Sequence, residues 1–189
     1  GRWGAGLPGS GDMQMLFLQS AIDKMDDNFG RAAIVENGSP MFNGQTASGE
    51  SQIRRWMLEN DLIEAIIALP TDLFYNTGIA TYIWVLSKNK RAERKGKIQL
   101  IDASSFFHKL RKALGDKKNE ISPEDRSAVT KLYADFTENE YCKIYRNEEF
   151  IYREYTVMQP LQRSYAITEE RMEAMLSKGA LSSLYDQAK

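Results

Sequence analysis

The chain has 189 residues, 42% of them hydrophobic and 27% charged, the composition of a globular protein with a core of its own. No apolar run approaches the roughly 20 residues that cross a bilayer, and the opening GRWGAGLPGSGD has no apolar stretch of the kind a secretory leader needs. A single cysteine, Cys142, and a single histidine, His108, exclude an internal disulfide framework, argue against a zinc site, and fit a reducing, cytoplasmic setting without a membrane partner.

Residues 1–12 are glycine-rich and irregular. Helical spacing then places Met15, Leu18, Ile22 and Met25 on one face, and Asp26, Asp27, Asn28 and Gly30 end that helix. RAAIVEN, 31–37, reads as a short buried strand, followed by a polar loop over 38–49. Ser48 is placed to cap a helix over 50–60 with Ile53, Trp56 and Met57 inward. Further strands are predicted over 62–70, 79–87 and 97–103. The alternation of helix and strand predicts an α/β fold with a mostly parallel sheet. Between Leu69 and Ile79 there is no room for a crossover helix, so the strands on either side should pair antiparallel.

Beyond residue 103 the texture changes. SSFFHKLRKAL, 104–114, reads as a basic, helix-like amphipathic segment with Phe106, Phe107, Leu110 and Leu114 inward. A helix over 122–136 is signalled by Ser122 as cap, Pro123 in the first turn and the acids Glu124 and Asp125. Residues 149–160 alternate as a strand does, and 168–179 reads as a closing helix. The expected division is therefore an α/β part, 1–103, and a mainly helical extension, 104–189.

Net charge is −1, but unevenly spread. Lys88 to Lys118 holds 11 Lys and Arg against 3 Asp and Glu. A basic segment on an acidic body suits either an anionic partner, nucleic acid first, or a solvated charged face.

Few motifs carry chemistry. Gly4, Gly6 and Gly9 match a dinucleotide fingerprint in spacing only, because no strand precedes them. No serine sits in a nucleophile elbow, and His108 lies in a basic segment, so a hydrolytic triad is excluded. In open α/β sheets ligands bind beyond the carboxyl ends of the strands. The loop NGSPMFNG, 37–44, which includes Asn37 and Ser39, follows one such end. Phe74 and Tyr75 follow another. There Phe74 either stacks on a flat substrate or caps the core beneath the turn.

The run GRAAIVENGSPMFNG, continuing through SGESQIRRWMLENDLIEAIIALPTDLFYNTGIATYIWVLSKNKRAERKGKIQLIDA to residue 103, resembles the modification (methylation) subunits of type I restriction–modification systems, which are N6-adenine DNA methyltransferases of prokaryotes. MQMLFLQSAIDKM, 13–25, and FIYREYTVMQPL, 150–161, resemble the segments that flank this region in the family. The resemblance implies the C-terminal half of a Rossmann-like methyltransferase fold. It also implies S-adenosylmethionine as methyl donor, held mostly by strands upstream, a target adenine flipped out of the duplex, and a partnership with DNA and with the specificity and restriction subunits. In related enzymes an aromatic before the final strand packs against the flipped base. Phe74 looks like that residue, with Tyr75 as second choice and Asn37 and Ser39 as neighbours. Lys109, Arg111, Lys112, Lys88 and Lys90 are then the candidates for DNA phosphates, or for the specificity subunit.

One feature departs from the family. The prolines stand at 8, 40, 70, 123 and 160, so the Asn/Asp-Pro-Pro-Phe/Tyr catalytic motif is not in this sequence, nor is a glycine-rich strand–turn–helix unit for the cofactor. The expectation is a chain that does not methylate alone. The alternative is a non-catalytic module that docks the specificity subunit.

Overall fold

The structure is a computed structural model that describes residues 2–152, 155–159 and 168–177. The chain forms two compact units, 1–154 and 155–189. The first is built on a five-stranded sheet, with strands β1 (Arg31–Asn37), β2 (Ile63–Ala68), β3 (Thr81–Ser87), β4 (Lys97–Asp102) and β7 (Cys142–Arg146) in the spatial order β1-β3-β2-β4-β7. A separate hairpin pairs β5 (His108–Leu114) with β6 (Lys117–Glu120).

Strands β1, β2 and β4 run in one direction, and β3 and β7 in the other. The short connection 69–80 forces β3 back antiparallel beside β2, as its length predicts. β3 also inserts between β1 and β2, pairing Asn37 with Thr81 and Ala68 with Tyr82. The carboxyl ends of β1 and β2 therefore flank the start of β3 at one edge of the sheet.

Two helices cover one face. α1 (Gln14–Lys24) buries Met15, Leu18 and Ile22, and α3 (Gly49–Glu59) buries Ile53 and Met57 against Trp84, Leu86 and Ile98. The Ser48 hydroxyl caps α3 by accepting the Ser51 N–H at 3.3 Å. The chain leaves α1 through Gly30, whose N–H donates to the Asp26 carbonyl at 2.8 Å. A Cβ at Gly30 would collide with the Asp26 backbone. On the other face Ile67, Leu69, Ile101 and Cys142 pack with Phe106, and with Val129, Leu132 and Tyr133 of α4 (Pro123–Asp135). The Ser122–Asp125 capping box starts α4.

Six readings of the sequence change. β1, read as a buried strand, is an edge strand with Val35 exposed, and the sheet, read as mostly parallel, has one parallel pairing, β2 with β4, and three antiparallel ones. Part of the polar loop is the single-turn helix α2 (Ser39–Phe42). Residues 108–114 form a strand, not a helical segment, because Gly115 takes the left-handed conformation at φ +65° and turns the chain back. Leu114, read as inward, is exposed. Residues 147–150 form a single 3-10 turn rather than the start of a strand, and the described residues beyond it, 151–152 and 155–159, have no regular structure. In the second unit, helix α5 (Glu169–Ser177) is observed. The predicted last residues of that helix, 178–179, lie outside the described residues.

At the end of the sheet away from Asn37, a buried ionic cluster joins four elements. The Glu64 carboxylate on β2 receives Arg31 from β1 at 3.2 Å, faces Arg94 at 3.7 Å, and accepts the Tyr133 hydroxyl of α4. Arg94 also lies between the rings of Tyr133 and Phe136, at 4.4 and 4.3 Å from their centroids, and donates to Gln99 Oε1 at 2.8 Å. Arg31, Glu64, Arg94 and Tyr133 line a cavity of about 310 Å³. The cluster's acid, phenol and buried guanidinium satisfy one another there, which makes it a structural joint.

Candidate functional site

At the opposite edge, where β1 and β2 end, an open hollow of about 310 Å³ is lined by Gln14, Val35, Glu36, Asn37, Phe74 and Thr81 with the turn residues Asn76, Thr77 and Ile79. This volume is at the lower end of what encloses a small ligand. The register of β1 against β3 sets Asn37 beside Thr81, and the turn after β2 brings Phe74 to the same hollow. The structure thus brings Asn37 and Phe74 together, as the sequence suggested.

Asn37 is fixed from both sides: its N–H donates to Gln14 Oε1 at 2.9 Å, and its own Oδ1 accepts the Ser39 N–H at 2.7 Å. Ser39 starts α2 and turns its side chain to Asp12 rather than into the hollow. Asp12 accepts from the Gln14 backbone and side chain, both at 3.1 Å, and from Asn43 at 3.2 Å. Burial opposes the Asp12 charge, but these hydrogen bonds and the one from Ser39 outweigh it and hold the carboxyl below the usual carboxylate range. Glu36 is the reverse case. Burial first, and then the charge of Asp12, push its carboxyl up to about 7. Neither Asp12 nor Glu36 was singled out from the sequence. A lone acid in a strand reading RAAIVEN is the one signal that could have pointed to Glu36.

Tyr75 lies apart from the hollow. It is exposed, the Lys117 ammonium stands 5.5 Å from its ring centroid, and its carbonyl accepts the Asp116 N–H at 2.9 Å. Two more carbonyls of the same turn are held by the hairpin. Asp72 accepts Lys118 N–H at 3.0 Å and Asn119 N–H at 3.1 Å, and Thr71 accepts Asn119 Nδ2 at 2.9 Å. The turn that carries Phe74 is therefore latched to the β5–β6 hairpin through Asp116 and β6.

The basic stretch divides in space. Lys109, Arg111 and Lys112 are exposed on β5, and their side chains make no hydrogen bond or ion pair among the described residues. Lys88 is engaged with the Met25 carbonyl at 2.8 Å and Asp27 at 2.5 Å. The expectation of a phosphate contact does not hold for Lys90. Its side chain is 1% exposed, paired with Asp61 at 2.5 Å, and donates to the Lys97 carbonyl at 2.8 Å. Burial holds its ammonium below the usual lysine range despite the pull of Asp61. Lys88 and Lys90 follow the far end of β3, away from Phe74.

The described residues do not by themselves fit S-adenosylmethionine. Gly38, which follows β1, faces the Phe42 ring, and a Cβ there would stand 2.9 Å from it; Gly49 faces the Leu7 carbonyl. The space beside these glycines is filled by the protein itself. Among the described residues, no helix is long and apolar enough to cross a membrane.

The chain is similar to the methylase subunits of two type I restriction enzymes. It is 36% identical over 128 residues to that of MjaVIII from Methanocaldococcus jannaschii, covering 67% of this chain and 21% of the relative. It is 36% identical over 115 residues to that of HindI from Haemophilus influenzae, covering 61% and 25%. The chain thus spans a fifth to a quarter of the length of these relatives. Among solved structures, the type I restriction–modification methyltransferase subunit from Streptococcus thermophilus superposes with a TM-score of 0.63 at 26% identity, covering 73% of this chain and 27% of that one. A type I modification subunit from Vibrio vulnificus shares the fold, with a TM-score of 0.57 at 19% identity and coverages of 72% and 28%. The α/β sheet with its inserted antiparallel strand is accordingly part of a methyltransferase-subunit fold. A model of the family described as N-6 DNA methylase matches residues 1–173, most of the sequence, and the chain belongs to that family.

Proposed function

We propose that this chain is the target-base side of a type I methylation subunit, acting in the cytoplasm of a prokaryote on N6 of adenine in DNA. The observation that carries the reading is the hollow at the carboxyl ends of β1 and β2, which Phe74 and Asn37 both line. A nucleobase taken out of a duplex needs an aromatic face to replace the stacking it had there, and such an interaction contributes about 1–3 kcal/mol. In this reading S-adenosylmethionine, bound mostly by residues outside this chain, supplies the methyl group. The chain's own residues hold the base: Phe74 stacks on it and Asn37 stands at its edge. Lys109, Arg111 and Lys112, on the hairpin latched to the Phe74 turn, meet the neighbouring phosphates. The isolated chain does not methylate, because the Pro-Pro motif of the family is not among its residues.

A second role suits the stretch that follows the sheet. Tyr155, Val157 and Met158 of the second unit are all exposed, apolar side chains that suit protein docking more than DNA. In this reading residues 104–189 also seat the specificity subunit, and through it the restriction subunit.

The test is binding of a single-stranded oligonucleotide that carries one 2-aminopurine, followed by fluorescence quenching. Quenching by the chain that Phe74→Ala abolishes supports the base site. Equal quenching by both proteins overturns it.

A further inference from the structure

The cavity at the far end of the sheet is walled by more positive charge than negative. Arg31, Arg91 and Arg94 line it, and Glu64 is the one acid among its walls. Arg31 and Arg94 both face the Glu64 carboxylate, at 3.2 and 3.7 Å, so two guanidiniums share one negative charge. Tyr133 adds no second one: burial, and then its bond to Glu64, push its phenol above the usual tyrosine range. The acids of the preceding turn are engaged elsewhere. Asp27 pairs with Lys88 at 2.5 Å, and Asp26 accepts the N–H groups of Asn28 and Phe29 at 2.9 and 3.0 Å. With Arg94 held at 4% exposure against Glu64, the excess positive charge falls to Arg31, whose side chain is 52% exposed and open to an anion.

The groups left free narrow what that anion is. Arg31 bonds Glu64 and Tyr133 through Nη2. That anchors the guanidinium and leaves Nε and Nη1 without a partner among the described residues. Arg91 is exposed, and its side chain makes no hydrogen bond or ion pair among the described residues. A guanidinium presents its N–H groups as a planar fork that matches two oxygens of one phosphate. Asn89 donates Nδ2 to the Asn28 carbonyl at 3.0 Å, and its Oδ1 stays open, as does the Asn28 amide. Phe29 lines the same cavity and is 85% exposed. An aromatic face beside a pair of guanidiniums suits a phosphate that carries a flat ring better than a bare ion, because stacking adds to the charge attraction.

We propose that this cavity is a second nucleotide site, with the phosphate between Arg31 and Arg91, the base against Phe29, and the amides of Asn28 and Asn89 at the base edge. Glu64 positions Arg31 for it and does not touch the ligand. A volume of about 310 Å³ is at the lower end of small-ligand sites, which suits one nucleotide. The nucleotide is either free or one unit of a nucleic-acid strand that passes over Arg91, since both present the same phosphate and ring. The site is separate from the hollow at the other edge: Arg31 opens β1 and Asn37 closes it, about 20 Å apart along the strand. The inference therefore does not depend on the reading of that hollow.

The experiment is calorimetric titration of the chain with each of the four deoxynucleoside 5′-monophosphates, with the matching nucleosides and inorganic phosphate for comparison, and with a single-stranded oligonucleotide that has no terminal phosphate. At least one monophosphate should bind, and its nucleoside should bind about tenfold more weakly. Arg91→Ala and Phe29→Ala change exposed side chains, so the fold should stand. Each should weaken the monophosphate about tenfold, and Phe74→Ala should leave it unchanged. An oligonucleotide that competes with the monophosphate and loses affinity with Arg91→Ala identifies a strand as the source. A monophosphate that binds without such competition identifies a free nucleotide. Three results overturn the inference: no monophosphate and no oligonucleotide bound at about 1 mM, binding that neither Arg91→Ala nor Phe29→Ala weakens, or inorganic phosphate bound as tightly as every monophosphate. Loss of binding with Phe74→Ala alone would assign the nucleotide to the hollow and likewise overturn this site, while the base site would stand.

Discussion

The guanidinium of Arg94 lies 3.7 Å from the carboxylate of Glu64, with side-chain exposures of 4% and 5%. The pair joins the 3-10 turn before β4 to the middle of the sheet, and Tyr133 and Arg31 close the cluster from α4 and β1. Removing Glu64 leaves the buried Arg94 cation without a carboxylate, whereas replacing both need not.

Glu64→Leu is therefore expected to destabilise the chain by about 3–5 kcal/mol, seen as a lower midpoint in urea unfolding. The double replacement Arg94→Met with Glu64→Leu is expected to recover a large part of that stability. A double variant as unstable as the single one would show that the cost lies in poorer packing around Tyr133 and Phe136 and not in the stranded charge.

The cations of the basic stretch should behave as two separate sets. Reversing Lys109, Arg111 and Lys112 to Glu is expected to weaken DNA binding and reduce the slope of log K against log salt by about 2–3, at about 0.9 for each duplex phosphate that is no longer neutralised. The fold should be unchanged, since these side chains bond to nothing in it. Lys90→Glu places a second carboxylate against Asp61 in a buried site, so it is expected to unfold the chain. A salt slope untouched by the triple reversal would return β5 to a solvated charged face.

Phe74 and Tyr75 are adjacent but have different surroundings. Phe74→Ala is expected to weaken binding of single-stranded DNA by about 1–3 kcal/mol, with the melting temperature little changed. Tyr75→Ala is expected to spare base binding, because the bond it makes with the hairpin through its carbonyl survives the substitution. Calorimetric titration of both variants checks the pair, and the reverse order of effects would make Tyr75 the base-holding residue.

Glu36 should make stability depend on pH with a definite sign. Its carboxyl titrates near 7 in the fold and near 4.3 in an unfolded chain. Between these values the folded state holds the extra proton, so its stability is full below about 4.3 and falls as pH rises through 7, by up to about 3 kcal/mol. Glu36→Gln should remove this part of the profile. Urea midpoints measured across that window in both proteins give the answer, and parallel profiles would count against a raised titration.

The legible parts of the fold were those governed by local rules. The spacing of Met15, Leu18, Ile22 and Met25 fixed α1, Ser122 with Asp125 fixed the start of α4, and the length of 69–80 required an antiparallel β3. The insertion of β3 between β1 and β2 was not legible, because strand order is set by which apolar faces meet and not by any one segment. Residues 104–114 misled because helical and strand spacing both fit FFHKLRKAL; the deciding residue, Gly115, stands just outside it. That Asn37 and Phe74 share one hollow follows from their places after strand ends. Lys90 was misjudged because charge in a sequence does not say which way a side chain turns. Asp12 and Glu36 escaped notice because their meeting depends on α1 folding back over β1.

The carbonyls of Thr71, Asp72 and Tyr75, held by amides of the hairpin, bear on how a ligand would arrive. A connection as polar and as thinly packed as 70–78 would ordinarily sample many shapes, and any guest would have to freeze one of them at an entropic cost. Amides from more than forty positions downstream, in Lys118 and Asn119, do that freezing in advance. The turn that carries Phe74 is then standing architecture, not a flap that waits for a visitor. Cutting away residues 108–120 would leave every lining residue of the hollow in the sequence and still cost the hollow its shape.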